Sequence, residues 1–380
     1  MYEYNWRDMN ILHIGKWYPW TGGVETVRDD IVGGVSALGI NCDMLCEAPL
    51  GEKGAEYKLN EHSKAITART KFKITRVPIT PGIITKLRKI ARHYDIIHVH
   101  QPDPIAIVAM MLSGYKGKVV THWHADIDEY PLLQKIYNPL PNWLLKRSDV
   151  IIATTQITAD ASPNLKPYKN KISIVPIGIK DPTAQPEKAE LIRNQYKGNK
   201  IIFSMGRLAT YKGFNYLIDA MKELPEDYVC LIGGKGPLKE TLSEQIKEQG
   251  LEERVKLLGF LSDEEVSAYY DACTLFCMPS INKGEAFGIV QIEGMAHSKP
   301  IVTTKIENSG VPWVNADGIT GINVPVMDCH ALAEAILKIG SDDALRKEYS
   351  KNARKRFTEL FERSVMVKSV LNIYKRLLNN

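Results

Sequence analysis

The stretch that decides the fold reads IIFSMGRLATYKGFNYLIDAMK and occupies residues 201–222. Its apolar, β-branched beginning, 201–205, predicts a buried strand, and the periodic apolar residues of 214–222 predict a helix. Gly206 and Gly213 flank the loop between them. A strand, a glycine-flanked loop and a helix make the βα unit from which doubly wound parallel sheets are built.

The same alternation extends to both sides of this unit. Apolar runs separated by amphipathic stretches imply parallel strands that helices cover on both faces. The runs before the unit are 11–14, 42–45, 96–99, 119–122, 150–154 and 172–175, and those after it are 228–232, 255–258, 275–278 and 301–303. Between the two series, residues 176–200 are mostly polar and contain three prolines, which predicts a linker with a short helix.

We therefore predict an α/β protein with two Rossmann-like, doubly wound parallel-sheet domains, 1–178 and 179–362, that face a central cleft. A chain of 380 residues is longer than one hydrophobic core normally serves. Ligands of such sheets bind beyond the carboxyl ends of the strands. The residues from Asp328 onward are predicted to be helical.

The composition is that of an ordinary globular protein, with 44% apolar and 24% charged residues. Six cysteines are scattered, and the pairs 42/46 and 273/277 fall in apolar runs predicted as strands, which favours buried thiols in a reducing compartment. The first ten residues lack a secretion-signal pattern. The longest apolar run, 105–112, is far short of the ~20 residues that span a bilayer. We expect a cytoplasmic protein.

Positive charge is concentrated in one segment of the first domain. Residues 58–92 contain ten Lys or Arg and a single acid, Glu61. Such a segment is either a solvated basic face or a surface for an anionic membrane or nucleic acid. The sequence has no aromatic-interleaved RNA motif and no zinc-finger spacing, which disfavours nucleic acid.

Two loops of the first half have the composition of ligand-contacting turns. Gly22 and Gly23 open a helix, whose free N–H groups attract anions, although the pair also suits an ordinary turn. His124 and Asp126 end a later strand, and His122 shares the face of His124. No Cys or carboxylate cluster completes a zinc set. We interpret His124 as a hydrogen-bonding ligand contact, with a satisfied core histidine as the alternative.

Arg207 and Lys212 lie five residues apart in the loop 206–213. A guanidinium contacts phosphate in a planar bidentate geometry, and an ammonium adds a mobile point charge. At the start of a helix the two cations favour a diphosphate clamp, and two solvated surface charges are the alternative.

The sharpest signal reads GEAFGIVQIE, residues 284–293. Glu285 lies in a glycine-flanked turn, and Glu293 interrupts the apolar helix that follows. A carboxylate there is costly unless it is paired or bound to a ligand, and vicinal ribose hydroxyls are suitable donors. The backbone N–H groups of 286–288 would hold sugar hydroxyls or phosphate. The helix dipole accounts for Glu285, by about 0.3–1 kcal/mol, but not for Glu293.

In order and spacing, these motifs resemble the family-4 retaining glycosyltransferases of the GT-B fold, over nearly the whole chain. The stretch 121–178 resembles the bacterial mannosyl- and rhamnosyltransferases that build surface polysaccharides. The resemblance implies a hexosyltransferase that uses a nucleotide-sugar donor. It also implies that a C-terminal helix, 363–380, packs back on the first domain.

The resemblance implies roles for the motif residues. Arg207 and Lys212 would bind the donor diphosphate and stabilise the leaving group, and Glu285 would hold sugar hydroxyls. His124 would contact the sugar near the anomeric centre. The other donor contacts implied are Gly22, Gly23, Gly206, the amides of Ala286, Phe287 and Gly288, Glu293 at the ribose, and Phe260 and Leu261 beside the nucleobase. Asp103 and Asp126 are the candidate acceptor-side bases.

The chemistry of the residues agrees with these roles. Breaking the anomeric C–O bond develops negative charge on the diphosphate, which fixed cations and amide dipoles stabilise. The resemblance implies that configuration is retained without a protein nucleophile. No Asp-x-Asp pattern lies in a suitable loop, since residues 126–128 belong to the histidine motif, so we expect no metal and no cofactor.

The expected partners are a nucleotide-sugar, with GDP-linked mannose or a related sugar favoured, and a polyprenyl-linked or oligosaccharide acceptor. The basic segment suits peripheral association with the inner face of the cytoplasmic membrane, and nucleic acid is not expected. The alternatives are a UDP-sugar donor, a sugar-nucleotide epimerase or a phosphorylase of the same architecture, and a binding module without activity.

Overall fold

A computed structural model describes residues 6–19, 22–74, 77–126 and 138–379. The chain divides into two compact units, Met1–Lys180 with Arg363–Asn380, and Asp181–Glu362. Each unit contains one large sheet with helices packed against it. The strands of the second sheet are all parallel, and those of the first are parallel apart from one edge strand. This confirms the predicted fold class of two Rossmann-like units.

The strands follow the predicted apolar runs and include several that were not predicted. They are β1 (Asn10–Gly15), β2 (Asn41–Glu47), β3 (Glu56–Asn60), β4 (Ser63–Ala68), β5 (Phe72–Ile74), β6 (Val77–Ile79), β7 (Ile96–Gln101), β8 (Lys118–Trp123), β9 (Val150–Ala153), β10 (Ile172–Ile174), β11 (Lys200–Met205), β12 (Tyr228–Gly233), β13 (Val255–Gly259), β14 (Leu275–Met278), β15 (Ile301–Thr304) and β16 (Gly321–Val324).

The α-helices of the described residues lie between these strands and after the last of them. They are α1 (Gly23–Ser36), α2 (Gly82–Ile90), α3 (Pro104–Ser113), α4 (Pro139–Arg147), α5 (Gln156–Ala161), α6 (Pro186–Gln195), α7 (Phe214–Ala220), α8 (Lys239–Glu248), α9 (Asp263–Ala272), α10 (Ile289–Ala296), α11 (Val311–Val314), α12 (Cys329–Ser341), α13 (Asp343–Arg356) and α14 (Arg363–Asn379). Within the described ranges, no helix has the length and apolarity needed to cross a membrane.

The order of the strands creates a switch point in each sheet. The first sheet runs β10-β9-β8-β7-β1-β2-β4-β3, and the second runs β13-β12-β11-β14-β15-β16. The order therefore reverses between β1 and β7 in the first unit and between β11 and β14 in the second. The crevice beyond the carboxyl ends of such strands is where doubly wound sheets bind ligands, so each unit has one edge at which a site is expected.

Burial explains why the central strands could be recognised from sequence. Every residue of β7 and of β12 is buried, because helices cover both faces of each sheet. The cysteines of the described residues are free, and all but Cys329 are buried, as expected. Cys273 differs from its prediction: it follows the last residue of α9 as its C-cap and does not belong to a strand.

The C-terminal helix α14 packs on the first unit, against α1. The helices approach closely at Gly34, where a built Cβ atom would lie only 2.4 Å from Cγ2 of Val367. Val367 is buried and its branched side chain has little rotamer freedom in a helix. A residue without a side chain is therefore needed at position 34.

Substitution of Gly34 by Ala should destabilise the protein by about 1–3 kcal/mol, because the added methyl group overpacks the contact with Val367. Gly33→Ala is the matched control, since a Cβ atom at Gly33 meets nothing within 4 Å. It should stabilise by about 0.5–1 kcal/mol through helix propensity. Urea midpoints of both variants measure the difference, and equal midpoints would contradict this account of the α1–α14 contact.

Candidate functional site

In the second unit, the loop after β11 and the loop after β14 meet at the switch point. Gly213 ends the first loop with φ 65°, a conformation that favours glycine. A Cβ atom at Gly213 would lie 2.2 Å from the carbonyl oxygen of Pro279, which begins the second loop. The amide of Ile281 donates to the carbonyl of Tyr211 at 2.8 Å and ties the two loops together. The predicted residues of both loops are therefore held at one edge of the sheet.

Lys212 and Glu285 form an ion pair across these two loops. The distance from Lys212 Nζ to Glu285 Oε2 is 2.5 Å, and the side chains are only 9% and 13% exposed. Ser280 Oγ also donates to Glu285 Oε2, at 3.4 Å. The ammonium keeps further N–H groups beyond this pair, so it can contact an anionic ligand without releasing Glu285.

Arg207 begins the same loop with an exposed side chain. No acid of the described ranges forms an ion pair with it. The loop itself is well anchored, because the amides of Gly206 and Leu208 donate to Gly233 and Lys235 at 3.0 Å each. The guanidinium thus stands on a fixed backbone and is available for phosphate.

The turn at residues 285–288 leaves backbone N–H groups without an acceptor among the described residues. Ser309 Oγ and the amide of Gly310 hold the carbonyls of Glu285 and Ala286 at 2.6 and 2.8 Å. Within the described ranges the N–H groups of Ala286, Phe287 and Gly288 have no acceptor. Gly288 caps α10 with φ 79°. The turn therefore presents a row of donors at a helix N-terminus, where anions and hydroxyl oxygens bind.

Glu293 follows five residues after Gly288, on α10. It is partly buried, and its Oε2 atom lies 3.1 Å from the hydroxyl of Tyr270, which also donates to the carbonyl of Val290 at 2.7 Å. Burial raises the pKa of the Glu293 carboxyl, while the Tyr270 hydroxyl and the Lys212 ammonium oppose that shift. Tyr270 is a site residue that sequence reasoning missed, since it lies on α9 in an amphipathic pattern.

Phe260 and Leu261 follow β13 at the same edge of the sheet. Phe260 is 70% exposed, and the Lys235 ammonium lies 5.1 Å from its ring centroid. A Cβ atom at Gly233 would lie 2.8 Å from Leu261 Cδ1, so Leu261 packs against the end of β12. An exposed aromatic face beside the predicted diphosphate loop suits a planar base.

In the first unit, Gly22 and Gly23 lie at the start of α1, and both are exposed. Arg28, which is 1% exposed, holds the preceding loop by donating to the carbonyls of Lys16 and Trp17. Sequence reasoning missed this role of Arg28, because a lone arginine in a helix usually indicates a solvated face. Trp20 and Thr21 lie outside the described residues.

His124 follows β8 and belongs to a buried cluster of five histidines. The others are His13 on β1, His98 and His100 on β7, and His122 on β8. Burial lowers the pKa of every member, and that of His124 falls to about 3. All five rings are therefore neutral near pH 7. Sequence analysis had identified His122 and His124 but not the three histidines from neighbouring strands.

The candidate acceptor-side carboxylates have partners that define structural roles. Asp103 caps α3, because its Oδ1 atom accepts from the amides of Ile105 and Ala106 at 3.1 Å. Its other oxygen is buried without a partner in the described ranges, and burial raises its pKa. Asp126 accepts from Ser162 and Asn164 at 2.9 and 2.8 Å. Asp128 lies outside the described residues.

The histidine cluster also contains two groups of three whose ring nitrogens lie within 4.8 Å of one another, His13/His98/His100 and His100/His122/His124. The expectation that no metal binds was derived from sequence spacing, which does not reveal ligands from adjacent strands. Two imidazoles bound to one tetrahedral zinc would hold their nitrogens about 3.3 Å apart. The His13–His100 and His100–His124 nitrogens are 2.9 and 3.1 Å apart, which is hydrogen-bonding distance.

Both units match known glycosyltransferase domains. Residues 21–181 match the model of Glycosyltransferase Family 4, and residues 187–356 match that of Glycosyl transferases group 1. Solved structures with TM-scores of 0.79 and 0.77 are the sucrose-phosphate synthase of Thermosynechococcus elongatus, 19% identical, and Anabaena HepE in complex with UDP, 20% identical. They cover 98% and 97% of this chain, and 99% and 100% of their own chains align. The fold is therefore that of GT-B glycosyltransferases.

Relatives of known activity match over nearly the full length. The O-antigen chain mannosyltransferase C of Escherichia coli is 29% identical over 98% of this chain and 100% of its own length. The D-rhamnosyltransferase WbpZ of Pseudomonas aeruginosa is 27% identical over 93% of this chain and 92% of its own. The chain belongs to the glycosyltransferases that combine a family-4 domain with a group 1 domain, and it is a glycosyltransferase.

The buried histidines should make stability fall with acidification. Their pKa values are lowered in the folded state, so below about pH 6.5 the unfolded chain binds more protons and the free energy of unfolding decreases. Each histidine contributes at most about 1.4 kcal/mol per pH unit. His98→Gln should therefore reduce the stability lost between pH 7 and pH 5.5, measured by urea unfolding.

His330→Gln is the control. A hydrogen bond to Glu223 raises the pKa of this exposed side chain, so removing it should not reduce the stability that the protein loses on acidification. Burial raises the pKa of Glu47, so this carboxyl adds stability on acidification. It is present in the native protein and in both variants, and therefore does not affect the comparison. An identical pH dependence in native protein and His98→Gln would show that His98 is charged or exposed in the folded state.

Proposed function

We propose that the protein is a retaining, metal-independent glycosyltransferase that transfers mannose or a related hexose from a GDP-sugar to a lipid-linked or oligosaccharide acceptor in surface polysaccharide synthesis. One observation carries the proposal. Arg207, the Lys212–Glu285 pair, the free amides of 286–288 and Glu293 all lie at the switch-point edge of one sheet. This is the constellation that departure of a nucleoside diphosphate requires.

The cations supply the electrostatic part of catalysis. As the anomeric C–O bond breaks, negative charge grows on the β-phosphate oxygen, and fixed donors stabilise that charge more than they stabilise the donor substrate. Lys212 is held by Glu285 and does not need to reorganise. Two cations and the helix N-terminus can neutralise a diphosphate, which is why the proposal includes no metal and no cofactor.

Glu293 would bind the ribose and Glu285 the donor sugar. Tyr270 fixes the Glu293 carboxylate from one side, which leaves acceptor capacity for vicinal hydroxyls. Glu285 accepts from Lys212 and Ser280 through the same oxygen, Oε2, so Oε1 is available to a sugar hydroxyl. Phe260 would border the nucleobase.

The identity of the sugar is argued from the relatives. Two full-length relatives are named for transfer of mannose and D-rhamnose, and the first of these acts on an O-antigen chain. Both sugars suit a GDP donor. A UDP-sugar is the second candidate, because the structurally similar HepE was solved with UDP. Acceptor-independent release of the nucleotide would instead indicate an epimerase.

The donor is identified by incubating the protein with GDP- and UDP-sugars, with and without a polyprenyl-linked acceptor, and measuring released nucleoside diphosphate. We expect release of nucleoside diphosphate from only one of the donor sugars, and adding the acceptor should increase it. Lys212→Ala should lower kcat by about 10²–10³, because one preorganised cation is lost. Glu293→Ala should mainly raise the KM for the donor.

Lys222→Ala is the matched control, since Lys222 is exposed beyond α7 and should leave all rates unchanged. Thermal unfolding of each variant shows whether the site was lost with the fold. Absence of release from every donor, together with no stabilisation by GDP or UDP, would remove the proposed reaction.

Membrane association is proposed for the basic segment of the first unit. The side chains of Lys58, Arg88 and Lys89 are exposed, and Arg88 and Lys89 lie in the last turn of α2. Phe72, between Lys71 and Lys73 on β5, is 52% exposed. Exposed cations and an exposed aromatic ring in one segment suit the surface of an anionic bilayer, where each cation contributes about 1 kcal/mol.

Reversal of two charges, in Arg88→Glu with Lys89→Glu, should weaken binding to phosphatidylglycerol vesicles at least about tenfold. Lys347→Glu with Lys351→Glu on α13 is the matched control with the same net charge. Vesicle sedimentation at low and high salt measures both. Vesicle binding that does not change with salt concentration would exclude an α2 contact with the membrane. So would an equal loss of binding in the two double variants.

A further inference from the structure

The five buried histidines share one face of the first sheet. His13 pairs in register with His98 across β1 and β7, and His100 pairs with His122 across β7 and β8. Because alternate residues of a strand point to the same face, the cluster forms a continuous layer. Tyr374 on α14 lies against this layer and is fully buried.

Within this layer, hydrogen bonds connect five side chains into one chain. Tyr374 Oη lies 3.0 Å from His13 Nε2, His13 Nδ1 lies 2.9 Å from His100 Nε2, and His100 Nδ1 lies 3.1 Å from His124 Nε2. At the other end of the chain, the Tyr374 hydroxyl also lies 2.5 Å from His98 Nδ1. Both ring nitrogens of His13 and of His100 are therefore engaged, and His124 is the last member.

The rings lie in line with these bonds. The ring centroids of His13 and His100 are 5.2 Å apart, and those of His100 and His124 are 5.4 Å apart. Each centroid separation exceeds the N···N distance only by the centroid-to-nitrogen distance in each of the two rings. The two centroids and the two nitrogens therefore lie nearly on one line. The lone pair of one ring thus points directly at the nitrogen of the next, which is hydrogen-bond geometry and does not converge on a shared metal.

The direction of the bonds follows from the buried end of the chain. A neutral imidazole carries one N–H group, so all members must donate in the same sense. His98 Nε2 is buried without a partner in the described residues. An unpartnered lone pair there costs less than an unpartnered N–H group. His98 therefore carries its proton on Nδ1 and donates to Tyr374.

The remaining protons are then determined. Tyr374 donates to His13 Nε2, His13 Nδ1–H donates to His100 Nε2, and His100 Nδ1–H donates to His124 Nε2. We infer that His100 is a positioning residue that fixes His124 as the tautomer with its proton on Nδ1, and that Tyr374 and His98 set the direction of the chain. The lowered pKa values of the four histidines agree with a neutral chain.

This tautomer gives His124 a specific capability. With Nε2 already accepting, the ring offers an N–H group through Nδ1 and no free lone pair, so it can donate to a hydroxyl oxygen but cannot remove a proton. The part of the inference that concerns a sugar hydroxyl rests on the proposed function. His124 would then orient the donor sugar and would not act as a base.

The tautomer is measured without any substrate. Histidine-selective nitrogen-15 labelling and long-range proton–nitrogen correlation spectra at pH 7 distinguish protonated from bare ring nitrogens, and single-histidine variants assign the signals. The expected result is a proton on Nδ1 in His13, His100 and His124. A proton on Nε2 of His124 in the native protein would overturn the inference, since the tautomer itself is measured on the native protein.

The coupling is tested with His100→Phe, which keeps an aromatic ring but donates nothing to His124. The proton of His124 should then redistribute towards Nε2, whereas His62→Gln, on a partly buried residue outside the histidine layer, should leave the His124 signals unchanged. An unchanged His124 in His100→Phe would overturn the role of His100. Since neither spectrum involves donor or acceptor, failure of the transfer assay would remove only the sugar contact.

Discussion

The candidate donor site depends on one ion pair. Lys212 and Glu285 are 73 residues apart in the chain and 2.5 Å apart in space, because they follow the two strands at which the sheet order reverses. Loss of one partner of a buried ion pair leaves an uncompensated charge, which costs about 3–5 kcal/mol when burial is complete and less here. The pair thus orients the loop that carries Arg207 and the turn whose amides are free. A parallel sheet alone would bring these loops near each other without defining their mutual orientation.

The second constraint is the burial of the histidine layer. Inside a protein, an imidazole chain has to be neutral and ordered, because a buried N–H group that points away from its acceptor is costly. The two units therefore prepare their polar groups by different means. The second unit fixes charges with an ion pair, and the first fixes a proton position with a chain of neutral rings. Each arrangement is set by the protein before any ligand arrives.

Much of the fold could be predicted because fully buried parallel strands are continuous apolar runs, as in β7 and β12. The strands that escaped prediction lack that signal. Nearly all of β3 is exposed and it lies at the sheet edge, and β16 reads Gly-Ile-Asn-Val, which is not a continuous apolar run. Charged residues next to glycines in βα loops could be identified from sequence. Sequence spacing could not reveal contacts between strands, which is why His13, His98 and Tyr374, which lies 276 residues after His98, were not associated with His124.

The return of α14 to the first unit has a consequence for biosynthesis. The second unit is a continuous stretch, Asp181–Glu362, and can complete its core while it emerges from the ribosome. The first unit is made earlier, but its histidine layer has no partner for His98 until Tyr374 has been translated. Until then, a sheet face with buried polar rings and the groove along α1 are left open to solvent. The unit that begins the chain is therefore the last to be finished, and a nascent chain halted before α14 is the form most exposed to chaperones and proteases.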